Sequence, residues 1–229
     1  MVRRDHTSLD GPLVGPTGLL ARGFLAEGRA RLSVMPDSSP PKNRLPFTLA
    51  FRLPEEALRL LAVYHRRLAG FCREFDPHET AHLTVKYLGY ESPGFMESDV
   101  MTMLPELARV CRPFIPLRIC VRGIDIFVTD EARKEAVVFL KVLSSERLIE
   151  MHETIRRRFG DRLEAFPHAD GPNFVPHITI SKNLQHYDHE RITRLIHRSR
   201  KSARRQFRLT DLVLFTPRAI YPLYPRRRR

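Results

Sequence analysis

The chain has 229 residues, 42% of them apolar, and a formal net charge of +13 with an isoelectric point near 10.4. That is enough chain to bury a full core, as one large domain or two lobes, and it holds no apolar run of the roughly 18 residues that a membrane span requires. Cys72, Cys111 and Cys120 have no metal-type spacing and are odd in number, so a reducing cytoplasm is the expected compartment.

The charge is uneven. Residues 1–45 carry +3, residues 46–199 carry +1 and residues 200–229 carry +9. A near-neutral body therefore ends in a basic segment, and residues 218–229 read as a basic tail. Residues 1–45 are broken by Gly and Pro, with Pro36-Asp-Ser-Ser-Pro-Pro41 as a linker signal. They read as disordered, or as an extension ahead of a true start at Met35.

From Phe47 one pattern occurs twice. Phe47, Leu49 and Phe51 alternate as a strand over 47–52. A helix over 55–72 follows. Pro54 and Glu55-Glu56 suit its start, and Leu58, Leu61, Ala62, Leu68 and Cys72 form its apolar stripe. Next come a strand with Ala81-His82-Leu83-Thr84-Val85, a helix over 95–111 and a strand over 116–128. The second unit gives a strand over 136–143, then a helix over 145–159 with Leu148, Ile149, His152, Ile155 and Phe159 inward. A strand with Pro176-His177-Ile178-Thr179-Ile180, a helix over 187–203 and a strand over 206–216 complete it. The expected fold is α+β and bilobal, a pseudo-twofold duplication of a strand-helix-strand-helix-strand unit. Antiparallel sheets would line a central groove between lobes at about 46–130 and 131–217.

The two histidine strands carry the chemistry. Side chains alternate faces along a strand, so His82 and Thr84 point one way, as do His177 and Thr179. Brought together, they place two imidazoles and two hydroxyls around one polar space. One imidazole can serve as base and the other as acid, because the free pKa of histidine lies near neutrality. The hydroxyls can hold the non-bridging oxygens of a phosphodiester as charge builds. One His-x-Thr triplet is weak evidence; two, at equivalent places in a repeat, are much stronger.

These segments, and the Tyr87-Leu88-Gly89 that follows the first, resemble the two-histidine phosphoesterase family over roughly residues 46–217. That family includes the 2′,5′ RNA ligase-like and RNA cyclic phosphodiesterase proteins. The resemblance implies a bilobal fold and metal-independent action, without cofactor, on 2′,3′-cyclic or 2′,5′-linked nucleotides. It assigns catalysis to His82 and His177, and phosphate binding to Thr84 and Thr179. Several members have Arg three residues after the second Thr; here that residue is Lys182. Lys182 has the wrong parity to share a face with His177 unless the strand ends or bulges, whereas Lys86 has the right parity to join His82. Both are candidate phosphate contacts.

Arg191, Arg194, Arg198 and Lys201 fall on one face of the last helix, where they could form a rail for RNA or an ordinary solvated face. Tyr87 could stack a nucleobase. The expected partners are RNA ends or small cyclic nucleotides, met by a monomer with no membrane association. The preferred reaction is hydrolysis of a 2′,3′-cyclic phosphate, with 2′,5′ ligation in reach. The alternatives are a 2′,5′-oligonucleotide or cyclic-oligonucleotide phosphodiesterase, and a non-catalytic RNA-binding module.

Overall fold

A computed structural model describes residues 45–130, 132–133, 135–143, 145–184 and 188–224. The expectations for residues 1–44, and for the tail from residue 225 onward, lie outside the described residues.

The elements follow the expected order: β1 (Phe47–Arg52), α1 (Glu55–Leu68), β2 (His82–Gly89), α2 (Glu97–Cys111), β3 (Leu117–Asp130), β4 (Glu135–Leu143), α3 (Glu146–Phe159), β5 (His177–Leu184), α4 (His189–Arg200), β6 (Arg205–Leu209), β7 (Leu212–Phe215) and β8 (Ile220–Pro222). Local chemistry sets the helix ends. Glu55 and Glu56 occupy the first turn of α1, where carboxylates meet the positive end of the helix. Ser145 accepts from the Leu148 N–H to cap α3, and Asp188 accepts from the Arg191 N–H to cap α4. On α3, Leu148, Met151, His152, Ile155 and Phe159 face inward, while Ile149 is exposed, contrary to expectation. Met151 takes its place because the buried stripe advances by three and four residues.

All neighbouring strands are antiparallel, in the order β6-β3-β4-β5-β2-β1-β7-β8. The architecture is the predicted α+β duplication, with its two sheets as halves of one sheet that meet at β2 and β5. The halves do not follow the repeat boundary, however. β3 ends the first unit but pairs with β4 of the second, and β7 ends the second unit but pairs with β1 of the first. Between β3 and β4 the chain has only a short turn, and strands so joined pair with each other. The expected strand over 206–216 is one path that changes partners: β6 pairs with β3, and two residues later β7 pairs with β1. Three residue steps span at most about 11 Å, so this path draws the two ends of the sheet together.

Part of the expected tail is ordered structure. β8 pairs with β7, and Arg218 reaches Glu91 at 2.7 Å and Glu97 at 2.8 Å. The core runs through Phe47, Leu49, Phe51, Leu83, Val85, Leu140, Ile178 and Ile180 beneath the helices.

Candidate active site

Leu83 and Ile178 form the registered pair that joins β2 to β5. In antiparallel pairing the flanking residues then come opposite one another: His82 beside Thr179, and Thr84 beside His177. All four share the face opposite Leu83, Val85, Ile178 and Ile180, which are fully buried. His82 and His177 are thereby diagonal neighbours, a relationship that sets Cα atoms about 7–8 Å apart.

The histidines are held alike. His82 Nδ1 lies 2.7 Å from the Thr80 carbonyl oxygen, and His177 Nδ1 lies 2.7 Å from the Val175 carbonyl oxygen. A carbonyl can only accept, so Nδ1 carries the hydrogen and Nε2 is the unprotonated nitrogen of the neutral ring. Both imidazoles titrate below the ordinary histidine value. For each, burial is the main cause, opposed by the backbone carbonyl. The Lys182 charge lowers both further, and His82 itself lowers His177. Asp76, on the loop before β2, opposes the shift at His82. Each ring is therefore biased toward its neutral form.

Strand bulges decide what joins them. Leu49 pairs with Lys86 and Ala50 with Thr84, so Val85 is an extra residue in β2. Phe139 pairs with Thr179 and Val138 with Ser181, so Ile180 is an extra residue in β5. Beyond each bulge the alternation inverts. The expectation for Lys86 as a phosphate contact is corrected on this ground. Lys86 is turned beneath the sheet, is 2% exposed and pairs with Asp170 at 2.8 Å. Its counterpart Ser181 is fully buried and donates to the Glu74 carbonyl. Tyr87 and Lys182 turn into the groove instead. Lys182 thus meets the parity condition through the bulge.

The groove opens beside His82 into a recess of about 960 Å³ lined by Thr48, Asp76, His82, Tyr87, Lys182 and Phe215, among others. Burial pushes the Tyr87 phenol up, and the Thr84 hydroxyl opposes that shift. Tyr87 and Tyr90 both pack on Phe166, at 5.4 and 5.6 Å between ring centroids. Phe215 lies 4.8 Å from His82, and Phe127 lies 5.0 Å from His177. Arg191, Arg194, Arg198 and Lys201 are exposed on α4, which packs on β3. None of the four lines the recess, and Arg191 stacks over Phe71 at 4.9 Å. Sequence reasoning missed Asp76, which sits in an irregular loop tied to β5 by its N–H to the Ile180 carbonyl. No periodicity marks such a residue.

A family model described as the 2′-5′ RNA ligase superfamily matches residues 53–219. A protein of Shouchella clausii strain KSM-K16, bearing the name "Putative phosphoesterase ABC1741", is 26% identical over 124 residues, 52% of this chain and 64% of that protein. The match thus spans just under two thirds of the relative's length. The crystal structure of TT0787 from Thermus thermophilus superposes with a TM-score of 0.54 at 22% identity, covering 78% of this chain and 98% of that one. It shares the fold. Escherichia coli LigT complexed with 3′-AMP overlaps more weakly, with a TM-score of 0.48 at 18% identity over 80% of this chain and 96% of that one.

Proposed function

The chain belongs to the 2′-5′ RNA ligase superfamily, the two-histidine phosphoesterases of the sequence resemblance, and we propose that it is a phosphoesterase that opens 2′,3′-cyclic phosphates on RNA ends or nucleotides. The observation that carries this reading is the antiparallel pairing of Leu83 with Ile178, with matching Nδ1 bonds on the two histidines. This pairing supports a site in which both Nε2 atoms meet one anion.

One neutral imidazole takes a proton from water as the water oxygen forms its bond to phosphorus. The other imidazole, protonated, gives its proton to the ribose oxygen as the opposite P–O bond breaks. The product is a phosphate monoester on the remaining ribose oxygen, and the next cycle needs the two rings to exchange one proton. Thr84 and Thr179 donate to the non-bridging oxygens. The Lys182 charge stabilises the added negative charge of the pentacoordinate state. Both proton transfers are supplied by imidazole, so the step needs no metal ion. Replacing the attacking water with the 5′-hydroxyl of a second chain makes the same site a 2′,5′ ligase.

Hydrolysis of 2′,3′-cyclic AMP in excess EDTA tests the reading. Turnover in the native protein, lost by about 10²-fold or more in both His82→Ala and His177→Ala, is the expected result for paired acid-base groups. Full activity in either variant, or dependence on added metal, contradicts it. Salt-sensitive RNA binding that survives both substitutions, with no turnover on cyclic mononucleotides or 2′,5′-oligoadenylate, would favour the binding module instead.

A further inference from the structure

Four basic side chains cross the groove on four adjacent strands, and the reaction above uses two of them. β1 pairs Arg52 with His82, and β4 pairs Lys141 with His177. Directly opposed residues share a sheet face, so Arg52 and Lys141 stand on the histidine face, one outside each imidazole. The dyad that exchanges the histidines exchanges these cations too. The neighbouring positions break the symmetry: Thr84 has Ala50 opposite it, whereas Thr179 has Phe139.

Neither cation is tightly engaged among the described residues. The half-buried Arg52 guanidinium has no hydrogen-bond or ion-pair partner among the described residues; its backbone N–H goes to the Asp211 carbonyl. The Lys141 side chain is 45% exposed and lies 3.4 Å from Asp125, whose same oxygen is held more closely by Arg200 at 2.9 Å. Two strand spacings of about 4.8 Å and the diagonal step of about 7–8 Å between the histidines put the two Cα atoms at most roughly 17 Å apart, with the reacting phosphate midway. Cations on both flanks of one anion site match a chain of phosphates and are superfluous for a single one. Arg52 offers a fork and Lys141 a point charge.

We propose that Arg52 and Lys141 hold the phosphates flanking the reacting one, so that an oligonucleotide is preferred over a free cyclic mononucleotide. The proposal rests on the phosphoesterase reading and specifies its substrate class. A chain ending in a cyclic phosphate reaches one of the two cations. A chain continuing on both sides of the reacting phosphate, as in a 2′,5′ junction, reaches both.

Two measurements decide it. The first is the salt dependence of binding of a fluorescein-labelled oligoadenylate trinucleotide carrying a terminal 3′-phosphate. The slope of log affinity against log salt should fall by about 0.7, the value for one single-strand phosphate, in whichever of Arg52→Gln and Lys141→Gln faces the continuing chain, and should hold in the other; if that residue is Arg52, Arg52→Lys should restore it. The second is the ratio of kcat/KM for a trinucleotide with a 2′,3′-cyclic end to that for 2′,3′-cyclic AMP. That ratio should fall about tenfold in the same variant that loses salt slope, the worth of one charge-assisted hydrogen bond. A slope unchanged in both variants, or losses equal on both substrates, overturns the proposal. Native protein that binds the trinucleotide with the expected slopes but turns nothing over refutes the hydrolytic reading alone, because the slopes still judge Arg52 and Lys141.

Discussion

Tyr87 and Lys182 are structural counterparts: each lies five residues beyond its histidine, and each is turned into the groove by one extra residue in its strand. The duplicated frame thus presents an aromatic hydroxyl on one side and a cation on the other. Lys182 lowers the pKa of both histidines, so its removal has a signed consequence. In Lys182→Gln the acid limb of the pH–rate profile should move to higher pH, while kcat/KM falls about tenfold or more because the phosphate loses a counter-charge. A fall in rate with the limb unmoved would place Lys182 away from the rings.

The free protein's pH profile is also fixed in direction. Burial, the largest cause, holds both imidazoles below the histidine reference of about 6.5. A reaction that needs one ring neutral and one protonated then has its kcat/KM maximum on the acidic side of that value. Bound phosphate favours the imidazolium, so the maximum of kcat should lie at higher pH than that of kcat/KM. Steady-state kinetics between about pH 4.5 and pH 9, a window chosen to span both limbs, checks this. A kcat/KM maximum above neutrality contradicts it.

Beneath the site, Lys86 is buried against Asp170 at 2.8 Å, and it also donates to the Tyr87 carbonyl at 2.8 Å. Asp170 further accepts from the Phe166 N–H. Asp170→Asn removes the counter-charge and should cost about 3–5 kcal/mol in urea unfolding, because it leaves a buried ammonium without its carboxylate. The double variant Lys86→Met/Asp170→Asn should recover much of that loss. Equal destabilisation of the single and double variants would show that the pair's charge is not what matters.

Acid should weaken the fold through its histidines. Burial is the main cause that lowers the pKa of His65, His82, His152 and His177 in the folded chain. A proton therefore binds the unfolded chain more tightly. The stability from these groups is fully present above about pH 6.5 and is lost as pH falls through the folded-state values. His152 is 1% exposed and its Nδ1 lies 2.7 Å from the Val85 carbonyl oxygen. His152→Gln should flatten the decline in urea midpoint between about pH 7 and pH 5, the interval in which histidine titrates. An undiminished slope would remove His152 from the account.

Much of this was legible in the sequence, and the limits were physical. Two-residue alternation placed His82, Thr84, His177 and Thr179 on one face, and the sequence pattern found α1, α2, α3 and α4. The same alternation misjudged Lys86, because a bulge leaves no signature in the local pattern: Val85 and Ile180 are ordinary β-branched residues. The partner exchange of β3 and β7 is set by tertiary pairing, which periodicity within a strand does not encode. Arg52 and Lys141 drew no notice because their relation to the histidines exists across a ladder and not along the chain.

That exchange makes the two units inseparable. A cut between Asp130 and Glu135 would leave one fragment holding β3 without β4 and β6, and the other holding β7 without β1. Each piece would carry an orphaned edge whose complement lies in its sibling. A nicked chain should stay clasped, two co-expressed fragments should reconstitute the whole, and neither unit should survive as a free-standing half-sized ancestor would.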